Sequence, residues 1–478
     1  MLRKAVTENG IVKGLPATNV RVTVYKGIPF AAPPVGKNRW RAPQPCENWE
    51  GEYEAYTFKN IAMQDTPGIG DGIYQREWSI DTEVPMGEDC LYLNIWSSAN
   101  STEDNLPVLV WIYGGGYQWG YPYEMEFDGE NLAKRGIIVV TINYRLGAFG
   151  FLAHPELTKE APDAPTNFGT LDQQAGIAWV KRNIKGFGGN PDNITIAGQS
   201  AGGASVLNQL VYKGNKGLFN SAIIMSGIIR NPYVTDKFIT PQTLETAEEK
   251  GKSFFEFLGV KSLEEARKIP AFELRDKYTE YAGNHARFAP CIDNKFIEGD
   301  PVAMIMKGDY NDVPLMSGNT EDEFHVNIPK EDFDKSGGLK TVNGIESAVK
   351  AVFEKTAELG KSPCYYYSFG PDIPGWDNPG TFHSVDLWFF FESINKCWRP
   401  MVGRHYDLAR KMCNYWAEFI AKGDPNGKDC DGSEMPTWKP YSRQERNEML
   451  FKSEGPVSNV DTSEFTQYLI DKIRKENE

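Results

Sequence analysis

One stretch of this sequence constrains the fold more than any other, because it predicts a strand that breaks at a glycine-flanked serine and continues as a helix. Residues 194–197, Ile-Thr-Ile-Ala, alternate as a strand does. Residues 198–202, Gly-Gln-Ser-Ala-Gly, follow directly, and their glycines permit a sharp, strained strand-to-helix turn. A helix is expected over 201–212. Such a turn lifts the Ser200 hydroxyl above the edge of a sheet, where it is suited to nucleophilic attack.

Apolar and β-branched runs recur on both sides of this turn. Strands are expected at 20–25, 91–96, 106–113, 136–144, 222–225, 313–317 and 364–369. Helices are expected at 171–184, 344–359 and 401–421. This alternation predicts an α/β fold with a mostly parallel central sheet flanked by helices. We expect a single domain over 1–478, with helical insertions over the active site at about 235–300 and 330–360.

Charge and composition exclude several classes of partner. The chain has 51 basic and 65 acidic side chains, a net charge of -14, which disfavours nucleic acid and anionic membranes as partners. Its N-terminus lacks the apolar core of a secretory signal, and no segment is apolar for long enough to span a bilayer. The sequence as written is therefore expected to be cytoplasmic, or secreted if a signal peptide was removed. Seven scattered cysteines without C-x-x-C spacing indicate neither a zinc site nor a disulfide framework.

A serine nucleophile needs a base, and the chain has five histidines: His154, His285, His325, His383 and His405. In folds with this type of turn the order along the chain is serine, acid, histidine, which excludes His154. His383 is favoured because it follows a predicted strand and the glycine- and proline-rich loop 370–380.

The acid that orients the base is expected between Ser200 and His383, at the carboxyl end of a strand. Glu321, Asp322 and Glu323 all follow the strand predicted at 313–317. The residue pattern does not choose among these three carboxylates.

Backbone amides that stabilise a developing oxyanion are predicted at a second glycine cluster. Gly114, Gly115 and Gly116 follow the apolar run that ends at Tyr113, and they expose consecutive N–H groups without obstruction by a Cβ atom. We expect the N–H groups of Gly115 and Gly116, together with that of Ala201, to form an oxyanion hole supported by Gly114.

Taken together, these motifs resemble the type B carboxylesterase family, a group of α/β-hydrolases that includes cholinesterases and bacterial para-nitrobenzyl esterases. The resemblance covers most of the chain. It rests on residues 27–36 with Arg39-Trp40, and on residues 88–95, 143–147, 171–173 and 187–203.

The resemblance implies roles for single residues. The family's catalytic acid falls on Glu323 and its histidine on His383, and a serine that supports the acid falls on Ser226. The oxyanion loop follows Tyr113, where many relatives have histidine. Gln199 replaces a frequent glutamate beside the nucleophile, which argues against a cholinesterase tuned for cations.

At two further positions the sequence departs from the family pattern, one beside the expected pocket and one among the cysteines. Phe324 stands where glycine is usual after the acid, which narrows the expected pocket. Secreted members of the family pair the position of Cys90 with a nearby upstream cysteine, whereas here only Cys46 precedes it.

The expected function is hydrolysis of small carboxylic esters through an acyl-enzyme, by a monomer or a small homo-oligomer and without a metal or cofactor. Aromatic side chains that follow the site motifs are expected to line a substrate pocket: Tyr117, Trp119, Phe324 and Trp388. This favours aromatic esters, including hydroxycinnamoyl (feruloyl) esters. The alternatives are a non-catalytic adhesion protein with the same fold and an amidase or lactonase that uses the same residues.

Overall fold

The computed structural model describes residues 1–233 and 241–477, which divide into two compact units. Unit 1 comprises residues 1–124, 138–192 and 241–300, and unit 2 comprises residues 125–137, 193–233 and 301–477. The start of the helical insertion expected from about 235 lies outside the described residues. No helix in the described part of the chain combines the length and the apolar character needed to cross a bilayer.

The strands are short, and most are bounded by glycine, proline or polar turns. In chain order they are β1 Lys4–Thr7, β2 Gly10–Lys13, β3 Leu15–Pro16, β4 Thr23–Pro29, β5 Glu52–Glu54, β6 Tyr92–Ser97, β7 Leu106–Ile112, β8 Ile138–Ile142, β9 Gly189–Gln199, β10 Ser221–Met225, β11 Gln242–Thr243, β12 Cys291–Ile292, β13 Leu315–Thr320, β14 His325–Asn327, β15 Thr341–Asn343, β16 Cys364–Phe369, β17 Asn447–Lys452 and β18 Gly455–Val460.

The α-helices range from four to twenty residues in length. In chain order they are α1 Ile73–Glu77, α2 Glu130–Lys134, α3 Gly147–Phe151, α4 Pro155–Glu160, α5 Phe168–Asn183, α6 Ala201–Val211, α7 Leu244–Leu258, α8 Leu263–Arg267, α9 Ala271–Ala282, α10 Pro301–Met306, α11 Glu346–Glu358, α12 Leu387–Phe390, α13 Gly403–Lys422 and α14 Glu464–Asn477.

In unit 1, five strands pair in the order β3-β4-β6-β8-β7. The pairs β3/β4, β4/β6 and β6/β8 are antiparallel, and β7 runs parallel to β8. All five residues of β8, Ile-Val-Val-Thr-Ile, are buried, as expected for β-branched residues in a covered strand. A separate small sheet joins β1, β2 and β5.

In unit 2, strands pair in the order β9-β10-β13-β16-β17-β18, with the β9 residues from 195 onward in register with β10. The first five strands of this series are mutually parallel, and β18 returns antiparallel to β17. The carboxyl ends of β9, β10, β13 and β16 therefore lie at one edge of the sheet, where polar side chains from separate loops can meet.

A buried ion cluster joins three segments of unit 2. The Nζ atom of Lys350 in α11 lies 2.6 Å from Glu346, 2.9 Å from Glu448 and 2.7 Å from Asp461. Burial by itself lowers the pKa of this lysine, but the surrounding negative groups, Glu346 first, outweigh it and raise the pKa above its ordinary value. The cluster thus holds α11 against β17 and the segment after β18.

Most predicted elements are found within a few residues of their expected bounds. The strand expected at 20–25 instead begins at Thr23, and Val20 is exposed. The helices expected at 171–184, 344–359 and 401–421 are α5, α11 and α13. The region of the first predicted insertion contains α7, α8 and α9, in unit 1.

Candidate active site

Ser200 lies at the turn between β9 and α6, and its backbone is strained. Its φ of 57° and ψ of -124° fall in a region that residues with a side chain rarely adopt. Two hydrogen bonds hold the turn: the Ser200 N–H donates to the carbonyl of Met225 at 2.9 Å, and the Ala204 N–H donates to the carbonyl of Ser200 at 2.9 Å. The half-buried serine is thus fixed between the end of a strand and the start of a helix.

Small residues allow this turn to pack. A Cβ atom on Gly203 would lie 3.0 Å from the Cα of Gly227, and one on Gly227 would lie 2.6 Å from the Cα of Gly203. The first turn of α6 therefore approaches the loop after β10 at backbone contact distance, which only glycine permits.

His383 and Glu323 are in direct contact. The His383 Nδ1 atom and the Glu323 Oε2 atom form a short hydrogen bond, and Glu323 is only 2% exposed. The other carboxylate oxygen of Glu323 accepts hydrogen bonds from the Ser226 hydroxyl at 2.6 Å and from the Thr320 N–H at 2.7 Å. Three donors thus fix this carboxylate, and the carboxylate fixes the imidazole ring.

The other two candidate acids have different contacts. Asp322 is exposed, and its Oδ2 atom accepts hydrogen bonds from both the N–H and the hydroxyl of Thr381, each at 2.9 Å. Glu321 forms an ion pair with Lys452. Of the three candidate carboxylates, Glu323 is the one that contacts His383. Asp322 instead links the loop before the histidine to the loop after β13.

Gln199 contacts the opposite nitrogen of the imidazole. Its Nε2 atom lies 3.2 Å from the His383 Nε2 atom. When Nδ1–H donates to Glu323, the His383 Nε2 atom is an acceptor and can accept from the Gln199 amide. Phe324 packs edge-on against the same ring, with centroids 4.7 Å apart and an angle of 64° between the planes. A neutral amide and an aromatic edge therefore border the histidine.

The glycine loop lies in unit 1, directly after β7. Gly115 and Gly116 have φ values of 99° and 61°, and the N–H groups of Gln118 and Trp119 donate to the Gly115 carbonyl at 2.9 and 3.0 Å. A Cβ atom on Gly115 would overlap the carbonyl of Trp119. The loop is thus a tight turn that requires glycine.

Two buried side chains next to this turn form hydrogen bonds, and one of them, Gln118, was not singled out by the sequence. The Gln118 amide donates to the carbonyls of Gly116 at 3.2 Å and Phe288 at 2.7 Å, and it accepts from the Tyr278 hydroxyl at 2.8 Å. Tyr113, which is fully buried, donates to the Asn143 side chain at 2.7 Å. Gln118 carried no sequence signal, because its partners Tyr278 and Phe288 lie about 160 and 170 residues away along the chain.

The four predicted pocket residues differ in accessibility. Phe324 and Trp119 are 45% and 39% exposed, Tyr117 packs against Phe151 at 5.2 Å, and Trp388 is fully buried. Residues 387–390 form the helix α12. The sequence did not predict this helix, because a short apolar run has no periodicity that separates a buried strand from a buried helical turn.

A further carboxyl group lies near the histidine. Asp386 is fully buried, and its Oδ2 atom accepts a hydrogen bond from the Tyr367 hydroxyl at 3.0 Å. Burial, and to a lesser extent the negative charge of Glu323, raise the pKa of Asp386 to about 7 against the opposing effects of Tyr367 and His383. No motif in the sequence pointed to Asp386.

Among the described residues, the carboxylates spaced closely enough for a metal ion are Glu346, Glu448 and Asp461, and the ammonium group of Lys350 lies between them. All seven cysteines, including Cys46 and Cys90, are within the described residues and have free thiols.

Comparisons with known proteins cover nearly the whole chain. It matches the profile of the Carboxylesterase family over residues 3–356 and 345–468. It is 30% identical to the para-nitrobenzyl esterase of Bacillus subtilis, with 98% of this chain and 96% of that protein covered. It is 31% identical to the bile salt-activated lipase of Homo sapiens, with 97% of this chain and 68% of the lipase covered.

A solved structure gives the same result. A carboxylesterase of Geobacillus stearothermophilus aligns with a TM-score of 0.79 and 28% sequence identity, with 98% of this chain and 100% of that chain covered. The similarity therefore extends through both units in sequence and in fold.

Proposed function

The chain belongs to the carboxylesterase family, and from that premise we propose that it hydrolyses esters through an acyl-enzyme in which Ser200 is the nucleophile. The α/β-hydrolase fold expected from the sequence is confirmed, as is the reaction class, hydrolysis of carboxylic esters. The observation that carries the mechanism is the contact between His383 and Glu323, at the sheet edge where Ser200 occupies its strained turn.

Acylation uses the two nitrogens of His383 differently. The Ser200 Oγ atom attacks the ester carbonyl carbon while its proton passes to the His383 Nε2 atom, which the Gln199 amide releases. Glu323 accepts from Nδ1–H and stabilises the imidazolium that forms. The imidazolium then protonates the departing alkoxide, which leaves an ester between the serine and the acyl group.

Deacylation repeats these steps with water. The His383 Nε2 atom takes a proton from a water molecule, the hydroxide attacks the acyl carbon, and the Ser200 oxygen leaves with the proton that the imidazolium returns. In both halves of the reaction, negative charge collects on the former carbonyl oxygen. We assign its stabilisation to the N–H groups of Gly115, Gly116 and Ala201, on the basis of the glycine turn after β7 and the family pattern.

The triad assignment is tested with the variants Ser200→Ala and His383→Ala. We expect each to lower kcat for para-nitrophenyl acetate by about 10⁴-fold or more, because both act in the same proton transfer. Covalent labelling by a fluorophosphonate should disappear in Ser200→Ala. Asp334→Asn, which alters an exposed carboxylate in the same unit, serves as the control and should retain labelling. Labelling of Ser200→Ala at the wild-type rate would refute the assignment.

For the substrate, we propose small or aromatic esters, with hydroxycinnamoyl (feruloyl) esters as the specific candidates. Support comes from Trp119, whose ring is 39% exposed beside the glycine turn and faces the Arg287 guanidinium at 4.2 Å. Trp119 lies in the lining of a small surface pocket with apolar walls from Met63, Leu146 and Phe149. An aromatic acyl or alcohol group suits such a surface.

This preference is tested by comparing acetyl, butyryl and feruloyl esters of one alcohol. We expect Trp119→Ala to lower kcat/KM for the feruloyl ester about tenfold more than for the acetyl ester, because only the larger group reaches the indole. Phe257→Ala, which removes a similarly exposed ring from α7, is the matched control and should leave the ratio unchanged. Equal losses on all three esters would remove the aromatic proposal while leaving the esterase mechanism intact.

A further inference from the structure

The loop between β16 and His383 presents a tryptophan to solvent. Trp376 is 76% exposed, and its ring lies 6.2 Å from that of Trp398, which is 37% exposed, with an angle of 45° between the planes. Tyr406 and Val402, a few residues beyond Trp398, are also exposed. We call Trp376 and Trp398 the indole pair. Exposed apolar surface concentrated in this way is typical of a binding site.

The loop that carries Trp376 is held in place from one side by a buried arginine. Arg399 is 3% exposed, and its guanidinium donates to both carboxylate oxygens of Asp377, at 2.8 and 3.1 Å, and to the Pro374 carbonyl at 3.2 Å. A Cβ atom on Gly375 would overlap this guanidinium. The glycine before Trp376 thus leaves room for the arginine that holds the loop.

The beginning of the loop is anchored as well. The N–H of Asp372 donates to the Ser453 hydroxyl at 2.8 Å, and the Asp372 carbonyl lies 2.9 Å from the His405 Nε2 atom. The exposed indole is therefore presented on a preorganised loop, so a ligand that stacks on it does not have to order the loop first.

An open polar groove starts at the same loop. It is lined by the charged side chains of Asp372, Arg404, Asp407, Lys411 and Glu454. Opposite charges pair within and beside it, since Arg404 lies 3.0 Å from Asp372 and Arg410 lies 3.3 Å from Asp407. Three carboxylates in the lining disfavour a polyanion. So many charged groups are also unlike the core of a protein–protein interface.

We propose that the indole pair and this groove bind a neutral polysaccharide. Sugar rings carry C–H bonds on their flat faces, and these pack against the electron-rich face of an indole. Sugar hydroxyls both donate and accept, so they can bond at the same time to the carboxylates and to the cationic groups of the groove. The inference does not depend on ester hydrolysis, because every residue it uses lies outside the triad and the glycine turn.

The test is native electrophoresis through gels that contain birchwood xylan, konjac glucomannan or hydroxyethyl cellulose. We expect at least one of these polymers to retard the wild-type protein, and Trp376→Ala to raise the Kd for that polymer about tenfold. Arg404→Ala, at the groove, should weaken retardation severalfold and provides an independent variant. Phe272→Ala removes another ring that is about half exposed and should migrate like the wild type.

Other outcomes would overturn the proposal. These are absence of retardation by all three polymers, equal retardation of wild type and Trp376→Ala, and retardation by heparin but not by any neutral polymer. A larger gel-filtration elution volume for Trp376→Ala than for the wild type would show that the indole pair joins two copies of the chain instead. All variants should hydrolyse para-nitrophenyl acetate like the wild type, so a failure of binding is distinguishable from a failure of the esterase mechanism.

Discussion

At the scale of single residues, Asp386 shows how a buried group makes the stability of this protein depend on pH. Its pKa is about 7 in the folded chain, mainly because burial disfavours the ionised form, whereas an aspartate in an unfolded chain has a pKa of about 3.9. Between these values the folded state holds a proton that the unfolded state has lost. Asp386 therefore contributes stability at low pH that is lost as the pH rises towards 7.

We predict that Asp386→Asn removes this dependence. The free energy of unfolding of the variant, relative to the wild type, should increase as the pH rises from 4.5 to 7 and then level off. Urea unfolding of both proteins at several pH values measures this difference in the free energy of unfolding. Asp334→Asn, at an exposed site in the same unit, should give a profile parallel to the wild type. A parallel profile for Asp386→Asn would mean that Asp386 is ionised in the folded protein throughout this range.

At the scale of elements, the position of α6 depends on its contact with the loop after β10. Gly203 in the first turn of the helix and Gly227 in the loop approach so closely that neither has room for a side chain. The same loop contains Ser226, whose hydroxyl bonds to Glu323, and the helix begins just after Ser200. One glycine contact thus fixes the positions of both Ser200 and the Ser226 hydroxyl that bonds to Glu323.

We predict that Gly227→Ala lowers both stability and turnover. The added methyl group must push α6 from the loop, at a cost of about 1–3 kcal/mol in the free energy of unfolding, and it displaces Ser200 relative to His383. Urea unfolding and kcat for para-nitrophenyl acetate measure the two effects. Gly403→Ala, at a helix start with nothing within 4 Å of the added atom, is the matched control. A stable Gly227→Ala protein with full activity would contradict this account.

At the scale of the whole molecule, the sequence predicts those parts of the fold that depend on local patterns. The runs at 106–113, 136–144 and 364–369 became β7, β8 and β16 because continuous apolar, β-branched or aromatic residues suit a covered strand. The segment after 446 was not predicted, and it contains β17, β18 and α14. Strand β18 is mostly exposed and lacks the apolar run of a buried strand.

The candidate site was predictable to a different degree. The serine turn and the glycine turn follow from local backbone requirements that glycine meets, and the family resemblance chose Glu323 from three adjacent carboxylates. Other features of the site depend on contacts between distant segments. These are the hydrogen bonds between Thr381 and Asp322, the hydrogen bond from Tyr278 to Gln118, and the burial of Asp386. No pattern within a single segment carries that information.

The backbone of Ser200 has an evolutionary consequence. A side chain held at a φ of 57° and a ψ of -124° costs about 1–3 kcal/mol, and the fold bears that cost whether or not a substrate is ever present. Glycine would adopt the same angles with little strain. With Ser200 as the proposed nucleophile, a descendant released from selection for catalysis would therefore gain thermal tolerance by replacing this serine with glycine, so inactivation of such a lineage should begin at this position.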